Sequence, residues 1–230
     1  MKKLSLILSL ALAFSIQSTA QTYKIDTTEI TFENKLRPCL EVKYDAPPKT
    51  VKKAWDSFFG KYYNVKIKGI GFLTNKDVIT GTDVTIAAVS DKRMDLYARI
   101  TDVAGGSELK YFMSFGYDFF IGPGNYPTEF GGMKKILNDF SVEFLTDFYG
   151  SEATDITKKI KGLEKDISKN DRSIKKNNRK AKKGSNEVAS GLQAKNTSLQ
   201  MENEQIRKQI DDLGKEIENI KVKQAGISRN

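Results

Sequence analysis

Between Cys39 and Asp45 apolar and polar residues alternate, the two-residue period of a half-buried strand, and Pro47-Pro48 ends it in a turn. From Lys49-Thr50 the period lengthens. Val51, Ala54, Trp55, Phe58 and Phe59 fall on one face of a helix, with Lys52 and Lys53 on the other. Val65 to Phe72, Val78-Ile79, Val84 to Val89, Met94 to Asp102 and Leu109 to Tyr117 then read as strands. Ala104-Gly105-Gly106-Ser107 between the last two is a hairpin signal. A loop rich in glycine and proline, Gly122 to Pro127, leads into a second helix. Its apolar face is Met133, Ile136, Leu137, Phe140, Phe144, Leu145 and Phe148.

The predicted order is strand, helix, about four strands, helix. Strands joined by short polar turns form an antiparallel meander, and helices gathered on one face of it give a two-layer α+β domain. This element order resembles the TATA-box-binding-protein-like fold and, more loosely, the helix-grip fold of lipid-binding proteins. The resemblance concerns fold alone and carries no function with it.

Beyond Gly150 the pattern changes again. Ile156, Ile160, Leu163, Ile167, Asn170, Ile174, Asn177 and Ala181 keep the 4-3 alternation of a coiled-coil seam. Leu192, Leu199, Ile206, Ile210, Leu213, Ile217 and Ile220 keep it again, one residue out of phase. The slip lies between Gly184 and Gly191, where Gly-Ser-Asn and Ser-Gly weaken helix propensity. Two seams so related predict an antiparallel helical hairpin with its turn near 184–191. A single long helix paired with a second chain is the competing arrangement. Asn170, Asn177 and Asn203 at seam positions select a register.

Composition sharpens the division at Gly150. All twenty-two aromatic residues after position 20 lie between Tyr23 and Tyr149. Residues 21–150 hold 17 basic and 17 acidic side chains, so the whole excess positive charge belongs to the tail. Lys169, Arg172, Lys175, Lys176, Arg179, Lys180, Lys182 and Lys183 are opposed in their stretch only by Asp171. Such a cluster fits contact with an anionic lipid or glycan surface. Nucleic acid fits it poorly, because no aromatic residue accompanies the cluster for base stacking.

The first twenty residues have the parts of a secretory signal. Lys2 and Lys3 precede the uncharged run Leu4 to Ile16, and Ser18-Thr19-Ala20 places small residues before a cut at Gln21. No Cys stands beside the cut to take a lipid. Export to the periplasm or medium is expected, and not lipoprotein anchoring. The organisation read from the chain is therefore 1–20 signal, 21–150 α+β domain and 151–230 coiled-coil tail.

Little in the chain points to catalysis. There is no His, which removes the commonest general base and most zinc sites. Cys39 is the only Cys, so no disulfide forms within the chain, and a strand position suits it as a small buried residue. Asp91, Asp95, Asp102 and Asp118 match no calcium-loop spacing. Gly69-Ile-Gly71 and Gly122-Pro-Gly124 lack the further residues of nucleotide-binding loops. No cofactor, metal or catalytic residue is assigned. What stands out is an aromatic concentration: Tyr111, Phe112, Phe115, Tyr117, Phe119 and Phe120 occupy both faces of the last strand and its exit, with Tyr126 and Phe130 flanking Pro127. One face must meet the helices. The other is a candidate apolar surface for a ligand or partner, assigned to Tyr111, Phe115, Tyr117, Phe119, Phe120, Tyr126 and Phe130, or a face packed by the tail or a second copy.

The run Val51-Lys-Lys-Ala-Trp-Asp-Ser-Phe-Phe59, Met94-Asp-Leu-Tyr-Ala-Arg99, Tyr126-Pro127 and a Lys-rich coiled coil together resemble a set of exported bacterial envelope proteins. The resemblance implies that domain and coil belong together and implies no activity. The expectation is a non-enzymatic envelope protein. Its domain would bind a partner protein or apolar ligand, and its tail would serve as spacer, homo-oligomeriser or anionic-surface contact. The alternative is an enzyme using Asp or Glu side chains on an envelope polymer.

Overall fold

A computed structural model describes residues 22–70 and 77–227. The expected signal segment, Gly71 and Phe72 lie outside the described residues.

The fold is α+β. Strands β1 (Asp26–Phe32), β2 (Lys35–Tyr44), β3 (Val78–Ile86), β4 (Ser90–Val103) and β5 (Gly106–Ser114) form one antiparallel sheet in the order β1-β2-β5-β4-β3. Helix α1 (Pro48–Tyr63) follows β2, and helices α2 (Pro127–Ala181) and α3 (Asn186–Ala225) follow the sheet. Helix α1 starts where expected, with Pro48 in its first turn, and stops at Asn64 in the left-handed conformation. Val51, Trp55, Phe58 and Phe59 are its buried face.

The strand order departs from the expected one in three places. An additional strand, β1, precedes β2, joined to it by Glu33-Asn34, both at positive φ as a two-residue hairpin turn demands. Val78-Ile79 and Val84–Ile86 belong to one strand, because the register shift between Gly81 and Val84, with Asp83 at φ 60°, is a bulge and not a turn. Val65 and Ile67 are buried, yet over residues 65–70 the segment pairs only as an isolated bridge from Lys68 to Thr80. The predicted β4–β5 hairpin turns at Ala104-Gly105.

One face of the sheet packs against α1 and α2. Trp55, Phe59, Tyr111 and Phe140 meet there, the Trp55 ring lying 4.6–5.2 Å from the other three. Tyr44 donates to Ser141 Oγ at 2.6 Å, and Ser141 donates to the Leu137 carbonyl. Burying both hydroxyls is tolerable only because each is satisfied, and the chain of bonds fixes α2 along β2.

Two neighbouring glycines on α2 serve opposite purposes. A Cβ on Gly132 would come 2.3 Å from the Ala88 carbonyl oxygen, whereas one on Gly131 would meet nothing. The helix can approach the β3–β4 turn only at position 132. Gly131→Ala is expected to stabilise by about 0.5–1 kcal/mol through helix propensity. Gly132→Ala is expected to destabilise by about 1–3 kcal/mol through overpacking. Urea titrations moving both midpoints the same way would contradict this contact.

Helix α2 does not break at Gly150. It runs from the domain into the tail as one helix of 55 residues, and α3 returns antiparallel to it as a hairpin. Ser185 caps α3, its hydroxyl accepting from the Val188 amide, so the turn is tighter than 184–191. The seam asparagines pair. Asn170 donates to Asn203 at 3.0 Å and Asn177 to Asn196 at 3.0 Å, while Asn203 and Asn196 donate onward to Asp171 and Asn178. Both pairs belong to one register, and any slip would leave buried amides unpartnered. The far end of α3 re-enters the domain: Ile220 is buried in the main core, and Lys223 donates to Asp45 at 2.5 Å. Tyr149 of α2 donates to the same Asp45 at 2.7 Å, so one carboxylate ties both arms to the end of β2.

Candidate functional site

The sheet face away from the helices has two halves. Toward the β4–β5 turn it is charged, with Lys110 between Glu41 and Glu108 at 3.2 and 3.6 Å and Lys43 at 3.8 Å from both. These two carboxylates converge on lysines across a sheet surface, not on a cleft. At the other end Phe112, Tyr97, Phe32 and Phe120 form a second small core with Ile30 and Cys39. Phe112 and Tyr97 stack at 5.0 Å, and Phe32 meets Phe112 edge-on at 5.2 Å.

The chain covers this second core itself. After β5 the loop 115–122 folds back, Ile121 donating to the Met113 carbonyl, and lays Phe120 on Phe112. Arg37 spreads its guanidinium 4.2 Å from the Phe120 ring and reaches Asp118 at 2.6 Å. Lys35 pairs with the same carboxylate. Cys39 is fully buried beneath, and burial pushes its thiol up to about 12.

The seven aromatic residues expected to share a surface therefore separate. Tyr111 is buried against Trp55, its hydroxyl donating to Met113 Sδ. Phe120 lies in the second core and Phe130 in the main one. Phe115 and Tyr126 pack edge-on at 5.1 Å, both half-buried. Tyr117 and Phe119 face solvent, 96% and 58% exposed. Leu36, 64% exposed, lies at the same end of the sheet, in β2 between the two cations that clamp Asp118. Nothing in the local sequence pattern singles out Leu36 as exposed.

Tyr117 sits at φ 49°, a conformation strained for a bulky side chain that packs on nothing. The clamp holds this loop. Lys35 and Arg37 together hold the Asp118 carboxyl below its ordinary value. A carboxyl lowered by folding stabilises above its unfolded pKa, and that contribution is lost as pH falls through its folded one. Amide protection at Phe119 and Ile121 should therefore fall as pH drops below about 4. Asp118→Asn should show low protection at every pH. Equal protection of the wild-type loop at pH values on both sides of that range would remove the clamp from the account.

A cleft of about 580 Å³ opens between α1 and α2. Phe58, Phe140, Phe144 and Phe148 floor it, and Lys61 crosses to Glu143 at 3.0 Å on its rim. Glu152, also on the rim, has its carboxyl raised by burial and then by Asp45. Asp95 accepts from the Asp83 amide, and Asp118 is in its clamp. Among the described residues no three His, Cys, Asp or Glu side chains gather as metal ligands.

The basic cluster stands at the far end of the hairpin. From Gly150 to Ala181, α2 travels about 46 Å at ~1.5 Å per residue. Lys169, Arg172, Lys175, Lys176, Arg179, Lys180, Lys182 and Lys183 are all exposed there. Among the described residues only Lys169 of these eight has an ion pair, with Asp166 at 2.8 Å. Strand directions place the aromatic loop and the cluster at opposite ends. The β1–β2 turn, the β3–β4 turn and the loop after Ser114 share one end of the sheet, and α2 leaves past Asp45 at the other. No described helix is long and apolar enough to cross a membrane. Comparison with known proteins finds no matching family model, no matching curated protein and no matching solved structure.

Proposed function

We propose that this is a non-enzymatic, exported envelope protein that holds an anionic surface with its hairpin while its domain engages a partner. The observation that carries the reading is the placement of charge. Eight exposed cations, seven without an acidic partner among the described residues, stand at the end of an arm whose length and register are set by its own seam. Residues 169–200 contain nine basic and two acidic side chains, an excess of seven that equals the excess of the whole chain after position 20. Like charges so concentrated repel one another, and an anionic surface relieves that repulsion. The exposed pair Tyr117 and Phe119, with Leu36, offers the domain an apolar contact at the opposite end.

The test is retention on an immobilised polyanion at roughly 0.1 M salt. Each Lys or Arg near an anionic surface contributes about 1 kcal/mol. Replacing Arg172, Lys176, Arg179 and Lys183 by Gln should therefore weaken retention on the order of a thousandfold. These side chains lie outside the seam, so helix content should not change. A wild-type protein that passes unretained would end this reading.

A further inference from the structure

The charge on α2 is more ordered than a cluster. With Ile160, Ile167, Ile174 and Ala181 on one line of the seam and Ile156, Leu163, Asn170 and Asn177 on the other, the face opposite α3 is set by heptad geometry. Its centre line carries Lys158, Lys165, Arg172 and Arg179, each seven residues from the next. One flanking line carries Lys169, Lys176 and Lys183 after Gly162. The other carries Lys161, Lys175 and Lys182, with Ser168 among them. All ten cations are exposed. Between Lys158 and Lys183 the chain has three acidic residues, Glu164, Asp166 and Asp171, and all three flank the seam instead of the outward face.

This face therefore begins close to the domain, well before the distal cluster, and runs about 38 Å at ~1.5 Å per residue. The return helix does not share it. Outward positions of α3 hold Lys208 and Lys215 against Glu204, Asp211, Asp212 and Glu218, and Lys215 is already paired with Asp211 at 2.6 Å. From Lys158 to the turn the hairpin has one cationic side and one neutral to acidic side.

We infer that the arm lies lengthwise, α2 side down, on an anionic lipid bilayer. The inference rests on the proposed anionic contact and specifies its occupant and geometry. Eight of the ten cations are lysines, point charges that suit a plane of head groups better than the fixed forks of arginine-based recognition. They cover the breadth of a helix face about 38 Å long, whereas the open depression among them, lined by Arg172, Lys176, Arg179 and Lys183, occupies only its distal end and leaves Lys158, Lys161 and Lys165 outside it. No apolar residue interrupts them, so the arm rests at head-group depth without insertion, and its binding is reversible by salt. The aromatic loop, at the far end of the domain, stays free for another contact.

The experiment uses the full mature chain and co-sedimentation with vesicles of about 30% phosphatidylglycerol in phosphatidylcholine, against phosphatidylcholine alone, at roughly 0.1 M salt. Two triple variants divide the face: Lys158→Glu, Lys161→Glu, Lys165→Glu near the domain, and Arg172→Glu, Lys176→Glu, Arg179→Glu near the turn. Circular dichroism checks that each keeps its helix content. Binding confined to anionic vesicles, weakened at least about a hundredfold by either triple, is the expected result. Loss with the distal triple alone would overturn the lengthwise arrangement while leaving an anionic contact at the tip. Retention on a soluble polyanion column without vesicle binding would overturn the bilayer as occupant. Binding to neither would overturn the anionic contact itself.

Discussion

Ending the chain after Lys183 will unfold more than it removes. Helix α3 contributes 40 residues of helix, and the portion of α2 beyond Gly150 should melt with it, another ~30 residues of helical signal. Ile160, Leu163, Ile167 and Ile174 are half-buried in the seam with α3. Asn170 and Asn177 would lose Asn203 and Asn196. What remains is a single helix with twelve basic and three acidic side chains between Lys158 and Lys183, whose self-repulsion opposes helix formation. The loss reaches the domain as well. Ile220 is buried in the main core with Leu213 and Ile217 packed beside it, and full burial of one such side chain is worth about 1.5–3 kcal/mol. Lys223 would no longer hold Asp45, and Thr22 would lose its bond to the Lys223 carbonyl. Far-UV circular dichroism and trypsin digestion read the result. A truncated chain that loses only the α3 share of helical signal, and keeps Lys158 to Lys183 protected from trypsin, would show that α2 stands alone.

That coupling explains why composition marked a boundary that the backbone does not. Aromatic residues stop at Tyr149 because a sheet–helix core ends there, and a two-helix seam needs only isolated aliphatics. The helix itself continues because Tyr149, Ala153, Ile156 and Ile160 keep one spacing through the change, and Gly150, where a Cβ would meet no neighbouring atom, costs only about 1 kcal/mol. The seam was legible for the same reason, since 4-3 spacing is a local signal. Its register was half legible: Asn170, Asn177 and Asn203 stood out, while Asn196 became meaningful only once α3 lay opposite α2.

Strand β1 was hidden because it is an edge. Of Asp26 to Phe32 only Ile30 is buried, so no alternation shows. The bulge at Gly81–Val84 hid β3 by breaking its alternation into two short runs. The aromatic site was the least legible part. Period-two reading assigns residues to faces, and it placed aromatics on both faces of β5 correctly. It cannot say what covers a face, and here Phe120 returns along the chain to cover Phe112, with Arg37 from β2 above it. Which of the aromatics remain exposed was decided by Lys35 and Arg37 reaching Asp118, a contact across some 80 residues of sequence. The cationic face was visible as a count and not as a line, because its order appears only against the seam.

Trp55→Ala will bring the domain close to its stability limit. Trp55 is fully buried, and its ring touches α1 at Phe59, β5 at Tyr111 and α2 at Phe140, so it joins all three elements of the main core. Truncating a buried aromatic to Ala costs about 3–5 kcal/mol, because the cavity adds to the lost burial. Set against ~5–15 kcal/mol for a whole domain, that leaves little margin. The size of the loss has a specific control. Trp55 Nε1 is buried without a hydrogen-bond partner among the described residues, so the indole contributes by volume and ring contact and not by its N–H. Trp55→Phe keeps an aromatic ring among Phe59, Tyr111 and Phe140 and removes the unpaired donor. It should cost less than about half as much as Trp55→Ala. Urea unfolding followed by far-UV circular dichroism measures both, since Trp55 is the only Trp and its fluorescence is lost with it. Equal losses for Phe and Ala would mean that the N–H, and not the ring, carries the contribution. Because the first half of α2 is held by this same core, the Ala variant should also loosen the root of the hairpin, and protection of the Tyr149 amide should fall with the domain midpoint.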